Sequence, residues 1–339
     1  MLHRFAISDL QRPVIAAPMA GGPSTPELAA AVGKAGGLGV LAGGLLTAEA
    51  MADQLTATRK LSAGPVAVNV FVPQPVPQNS AEIDAYARTL SAEEARYGVS
   101  LGSPSYSDGD WSAKLDVIGD LKPDLVSFTF GLPETDELAR IQKAGITTMA
   151  GVASSSDAIA ACDRGIDSIV VQGPKAGGHR FTLDPLAPAP MQPLEDLLVA
   201  VRATCDVPVV AAGGLAGWAD VERMHRLGAA AAQLGTAFLL ADEAGTPPVH
   251  RAALTNCAFT ETAVTRAFTG RYARCLRNRF VNQHDTHAVT GFPNVAYLTG
   301  PVLAAAAKAG DPQGTALWAG TEFRRAASAP AVDIVASLV

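Results

Sequence analysis

The sequence predicts a closed (β/α)8 barrel, and three observations lead there. Eight short, largely apolar runs recur along the 339 residues, and their apolarity is continuous rather than alternating, as suits strands buried on both faces. Longer segments rich in Ala, Leu and charged residues separate them, which is the alternation of parallel βαβ units. Eight such units in one chain of this length close most economically into a barrel.

The elements follow in order. The strand runs are residues 14–17, 38–41, 66–71, 125–130, 147–150, 168–171, 207–211 and 230–234. Ser24-Thr25-Pro26-Glu27 sets a capping side chain before a proline in the first turn of a helix, and residues 154–157 and 218–220 open two more. Lys34-Ala35-Gly36, Lys143-Ala144-Gly145, Asp163-Arg164-Gly165 and Arg226-Leu227-Gly228 end helices with a cation in the last turn and a glycine beyond it. The eighth unit is interrupted. A polar region from about Ala244 to Gly310 follows Gly235-Thr236, and a helix-like segment, 314–327, is expected to close the barrel. The reading is a barrel of residues 1–243 and 314–339 with a mostly helical insertion, 244–313, between strand eight and helix eight. A second excursion, 73–110, reads as a loop with one helix. Both follow C-terminal strand ends, where barrel enzymes build their sites, so a lid that excludes water is the expected role.

Composition narrows the function. The chain is 48% hydrophobic with a net charge of −6, and the absence of a long basic run argues against nucleic acid or an anionic membrane as partner. Cys162, Cys205, Cys257 and Cys275 form no CxxC pair, so neither a zinc site nor a disulfide framework is indicated. Met1-Leu2-His3-Arg4 opens no signal-peptide core, and no run spans a bilayer. The expectation is a soluble, cytoplasmic protein, either monomer or homodimer.

The richest stretch runs from Val170 and Val171 through Gln172-Gly173-Pro174-Lys175-Ala176 to Gly177-Gly178-His179. It half repeats in Val209-Val210-Ala211-Ala212-Gly213-Gly214 and in Ala231-Ala232-Gln233-Leu234-Gly235-Thr236. Buried strands ending in glycine bring backbone N–H groups close to a flat or phosphorylated ligand. The loops after strands seven and eight commonly bind phosphate; here they are Gly213-Gly214 and Gly235-Thr236, with 237–241 able to form a short helix. His179 stands beside such a turn and can serve as acid, base or hydrogen-bonding group. Asn69, Gln172 and Gln233 are polar residues in apolar runs, fit either to bond a ligand ring or to satisfy the fold. Met19 either packs on a planar ring or fills the barrel top. His225 reads as solvated. His284-x-x-His287 lacks an acidic cluster beyond Asp285, so no metal is expected. Gly37-x-Gly39-x-x-Ala42 falls within a strand and is rejected as a dinucleotide fingerprint.

With these motifs assembled, the chain resembles the nitronate monooxygenase family, formerly called 2-nitropropane dioxygenases. The resemblance is carried by Pro13-Val14-Ile15-Ala16-Ala17-Pro18-Met19-Ala20-Gly21-Gly22, Gly36-Gly37-Leu38-Gly39, Val68-Asn69-Val70-Phe71, Ala176-Gly177-Gly178-His179, Ala212-Gly213-Gly214 and Gln233-Leu234-Gly235-Thr236. It implies FMN at the barrel top, with Met19 and Asn69 against the isoalloxazine ring and Gln172 near it. Gly178, Gly213, Gly214, Gly235 and Thr236 would surround the phosphate chain, and Pro18, Gly177 and Gln233 count with the cofactor-binding residues. His179 would sit over the flavin beside the substrate. The implied reaction is oxidation of alkyl nitronates or nitroalkanes with O2 to a carbonyl compound and nitrite. His179 is followed by Arg180-Phe181 where Arg-Gly is expected, a change beside the substrate loop. Thr269-Gly270-Arg271 and Leu317-Trp318-Ala319-Gly320 look family-like without a role. The alternatives are an NAD(P)H:quinone or enoyl-thioester reductase on the same flavin barrel, and a flavin-binding protein without turnover.

Overall fold

Eight parallel strands close on one another, as the apolar runs predict. The computed structural model describes residues 4–339; Met1, Leu2 and His3, on which the reading of the N-terminus partly rests, lie outside the described residues. In chain order the first half holds β1 (Val14–Ala16), α1 (Pro26–Lys34), β2 (Leu38–Ala42), α2 (Ala48–Leu61), β3 (Ala67–Phe71), α3 (Ser80–Thr89), α4 (Ser91–Tyr97), α5 (Trp111–Leu121), β4 (Leu125–Thr129), α6 (Thr135–Lys143) and β5 (Thr147–Val152). The second half holds α7 (Ser155–Asp163), β6 (Ser168–Gln172), β7 (Gly178–His179), α8 (Leu194–Arg202), β8 (Val209–Ala212), α9 (Trp218–Arg226), β9 (Ala231–Leu234), α10 (Pro248–Thr255), β10 (Thr262–Thr265), β11 (Ala273–Leu276), α11 (Arg279–His284), α12 (Asn294–Lys308) and α13 (Ala331–Ser337). The ring order is β1-β2-β3-β4-β5-β6-β8-β9, and β9 returns to β1 with Gln233 opposite Ile15. The short β7 lies outside the ring.

Local chemistry sets the boundaries. The Thr25 side chain accepts from Leu28 N at the start of α1, and Ser154 does the same for Asp157 N at α7. Gly36 ends α1 at φ +88°, which a side chain rarely adopts. Ile15, Val170 and Val210 point into the barrel with Leu38, Val40, Leu125 and Met149, while Val14, Val68 and Val126 face the helices. Ile7, with Phe5 and Leu10, belongs to the inner cluster. The two-residue period of a strand then carries the inward side from Ala67 to Asn69, from Val170 to Gln172 and from Ala231 to Gln233. The three polar residues therefore stand one step above the apolar interior, at the mouth.

The structure corrects the sequence reading at three places. Residues 314–327 form no closing helix; they hold only a 3-10 turn, Phe323–Arg325, and an isolated bridge from Trp318 to Cys275. Their buried residues, Leu317 and Ala319, alternate as in an extended strap. The helix that packs back on α1 is α13. The 73–110 excursion carries two helices, α3 and α4, not one. The short helix expected at 237–241 is a 3-10 turn, Thr236–Phe238. Beside its helices, the 244–313 region also holds the β10–β11 hairpin, which extends onto β7 with Ala273 opposite His179.

The excursion and this region share one core. Ile83, Tyr86 and Leu90 pack with Phe268, Phe280 and Val295, and the Tyr86 hydroxyl donates to Ala267 O at 2.6 Å. Glu93, on α4, is 1% exposed and accepts from both Arg279 nitrogens, Nη2 at 2.9 Å; His284 Nε2 lies 3.1 Å away. Burial alone would raise this carboxyl, but its bonds to Arg279 and His284 hold it below the usual value. A lowered carboxyl stabilises the fold above its ordinary pKa, and that stability is lost as pH falls below about 4. Glu93→Ala is expected to cost about 3 kcal/mol and to flatten the loss of thermal stability on acidification below about pH 4. Melting curves from pH 3 to 7 check this; an unchanged melting temperature and acid profile would refute it. Among the described residues no helix is long and apolar enough to cross a membrane.

Candidate active site

The C-terminal strand ends enclose a cavity of about 350 Å³, within the range of cofactor and ligand pockets. All twelve residues singled out in the sequence line it: Pro18, Met19, Asn69, Gln172, Gly177, Gly178, His179, Gly213, Gly214, Gln233, Gly235 and Thr236. Asn69 is oriented by the wall. Its amide nitrogen donates to Ser127 Oγ and Thr129 Oγ1, each at 2.9 Å, and to Ser127 O at 3.1 Å, which leaves its oxygen as acceptor. Gln172 braces the loop instead. Its nitrogen donates to His179 O at 3.0 Å and its oxygen accepts from Phe181 N at 3.1 Å. Gln233 Oε1 is buried and has no hydrogen-bond partner among the described residues.

The glycine turns pack backbone on backbone. Gly213 sits at φ +106°, and a Cβ there would lie 2.9 Å from Gly173 O and from Ala176 Cβ. A Cβ on Gly177 would lie 2.5 Å from Gly320 N, and Gly320 N donates to Thr236 Oγ1 at 2.9 Å. The strap around Leu317–Gly320, to which sequence reading gave no role, is therefore a wall of the cavity. Met19 closes another side: its thioether would be 3.7 Å from a Cβ on Gly235.

His179 is half-buried among aromatic rings. Its ring centroid is 5.4 Å from Phe130, 6.0 Å from Phe292 and 5.3 Å from Trp318, and Nε2 lies 2.9 Å from Thr269 Oγ1. Two guanidinium groups flank it, each 2% exposed. Arg180 donates to the carbonyls of Gly173 and Pro174 at 3.3 Å and to Ala176 O. Arg271 donates to Gln74 Oε1 at 2.6 Å and to Thr182, and covers the Phe130 ring at 4.2 Å. Neither has an ion-pair partner among the described residues; Asp157 and Asp184 act on Arg271 only from a distance. Burial lowers Arg180 to about 9 and Arg271 to about 10, so both stay charged at neutral pH. Burial, helped by these two cations, pushes His179 down to about 3. The site thus joins a neutral imidazole to uncompensated positive charge, an arrangement that attracts an anion.

Sequence reading missed three contributors. Arg180 and Arg271 carry no local signal, because a guanidinium satisfied by carbonyls has no carboxylate spacing to announce it. His250, on α10, is 5% exposed and lines the cavity, and its Nε2 has no hydrogen-bond partner among the described residues; burial lowers it to about 4 against the opposing pull of the Trp318 backbone. Phe181, where glycine was expected, lays its ring against Gly151 of β5, 2.6 Å from where a Cβ would stand. Among the described residues, no group of three His, Cys, Asp or Glu side chains that could hold a metal ion comes together, at His284 and His287 or elsewhere.

The family model for nitronate monooxygenase matches residues 4–339. The chain belongs to the nitronate monooxygenase family. It is therefore an oxidoreductase. Within nitronate monooxygenases, the protein from Paraburkholderia phytofirmans is 38% identical over 97% of this chain and 92% of its own length. A probable nitronate monooxygenase from Staphylococcus aureus is 32% identical over 98% of this chain and 94% of its own. The solved nitroalkane oxidase from Streptomyces ansochromogenes superposes with a TM-score of 0.95 at 44% identity, covering 98% of this chain and 96% of that one.

Proposed function

We propose that this nitronate monooxygenase family member binds FMN at the barrel mouth and uses O2 to convert alkyl nitronates to carbonyl compounds and nitrite. The observation that carries the reading is the neutral His179 between two buried, unpaired guanidinium groups at the edge of the cavity. The residues present fit the cofactor. Gln233 Oε1 and His250 Nε2 are buried, unpartnered and on the cavity wall, so a ligand rich in hydrogen-bonding groups completes them. Gly213, Gly214, Gly235 and Thr236 would hold its phosphate, and Met19 and Asn69 its ring. Bound flavin would supply the electron acceptor for nitronate oxidation.

The remaining chemistry belongs to the chain. Arg180 and Arg271 favour the anionic nitronate over the neutral nitroalkane, because both are buried and neither forms an ion pair among the described residues. Phe130, Phe292 and Trp318 keep water from the reacting carbon. His179 is the base available to a neutral nitroalkane, yet a weak one, since burial resists its protonation. Nitronates are therefore the better substrates. The test is anaerobic mixing of the yellow protein with a nitronate and, separately, with NADH. Rapid bleaching by nitronate and slow or no bleaching by NADH is expected. The reverse pattern would identify a reductase and overturn the reading.

A further inference from the structure

His179 has two ring nitrogens, and the β10–β11 turn has already engaged one of them. Nε2 lies 2.9 Å from Thr269 Oγ1, and the Thr269 hydroxyl donates to the Arg271 carbonyl at 3.2 Å. A carbonyl only accepts, and a hydroxyl has one proton to give. A hydroxyl that gives its proton to Arg271 O meets Nε2 as an acceptor, so Nε2 carries the ring proton. If the hydroxyl donated to Nε2 instead, the Arg271 carbonyl would lose this bond and the ring proton would move to Nδ1. The first arrangement makes two hydrogen bonds from the same atoms and the second makes one. No protein group among the described residues engages Nδ1. The contact spans 90 residues of sequence and is held in register by the pairing of Ala273 with His179.

We propose that Thr269 is a positioning residue that fixes His179 as its Nε2–H tautomer, so that Nδ1 takes the α-proton of a neutral nitroalkane. The proposal rests on the function proposed above. In the step, the α-carbon–hydrogen bond breaks, the proton passes to Nδ1, and the electron pair stays on the substrate as the nitronate. The ring becomes an imidazolium whose Nε2–H remains on Thr269. A preformed nitronate skips this step, which separates the roles of substrate binding and proton removal.

The test uses the FMN-loaded protein labelled with nitrogen-15 at histidine. Long-range proton–nitrogen correlation identifies which ring nitrogen is protonated, and His179→Asn assigns the signals by their loss. The Nε2–H pattern is expected in the natural protein and in Thr269→Ser, and a mixed or Nδ1–H pattern in Thr269→Val. Alongside, Thr269→Val should lose roughly 10- to 100-fold in kcat/KM for a neutral nitroalkane while nitronate turnover stays within about twofold, and Thr269→Ser should restore the nitroalkane rate. An Nδ1–H pattern in the natural protein overturns the proposal, whether or not the valine variant folds. So does a valine variant with unchanged tautomer and unchanged preference between the two substrates. A natural protein that oxidises neither substrate sinks the functional reading alone, because the spectrum decides the tautomer without turnover.

Discussion

Replacing His179 with asparagine is expected to leave FMN bound and to cut turnover of neutral nitroalkanes by roughly 10²- to 10⁴-fold, the usual contribution of a positioned base. Turnover of preformed nitronate should fall far less, since that substrate has no α-proton left to remove. Steady-state kinetics on both substrates, with the flavin spectrum as a check on loading, measures the difference. Equal, unchanged rates on both would exclude the assignment. The same residue sets a pH expectation. Burial, with Arg271 and Arg180 adding to it, holds His179 at about 3. A group lowered in this way keeps its basic form at every pH above that value and loses it only as pH falls through it. The nitroalkane kcat/KM should therefore show no inflection near the ordinary histidine value of about 6.5. An inflection there would mean that the ring is not the half-buried, cation-flanked group described above.

Gly213→Val is expected to abolish FMN retention, raising the apparent Kd on the order of 100-fold by displacing the backbone donors of the phosphate turn. Two effects combine. A β-branched residue does not adopt φ +106°, and its Cβ would press on Gly173 O at 2.9 Å, a backbone atom with nowhere to go. The glycine turn after β8 must move, and with it the turn after β6. Fluorescence titration of apoprotein with FMN gives the Kd. Thr236→Val is the milder companion. It removes the acceptor of Gly320 N without strain and should weaken FMN roughly tenfold, the order of one charge-assisted hydrogen bond. Wild-type affinity in both variants would place the phosphate elsewhere.

What the sequence disclosed depends on distance along the chain. The barrel strands were legible because each is a short run apolar on both faces, and the helix ends because Thr25, Ser154 and Gly36 act within a few residues of themselves. Gly213-Gly214 and Gly177-Gly178-His179 were legible for the same reason. The roles of Thr269, Arg271 and His250 were not: His250 lines the cavity from α10, Thr269 and Arg271 meet or flank His179 from the β10–β11 turn, and nothing within a turn of any of them marks its target. The strap at 314–320 misled the reading of the closing helix because its apolar residues Leu317 and Ala319 pack with Leu254 and Leu276, so composition suggested a helix while burial alternates as in a strand. Gln172 shows the opposite limit. Its position was legible, but only the bonds to His179 O and Phe181 N distinguish a brace from a ligand contact.

The pairing of β11 with β7 has a consequence for how this enzyme is altered, by evolution or by hand. The His179 ring belongs to the barrel chain, but its backbone neighbour Ala273 and its hydrogen-bonding neighbour Thr269 belong to a segment almost a hundred residues later. A loop exchange that replaces only the turn bearing the histidine inherits a partner built for another ring. A roof exchanged alone arrives without the strand on which it hangs. The two pieces form one inheritable unit, and substrate range should change most readily at wall residues such as Leu45, which leave that unit intact.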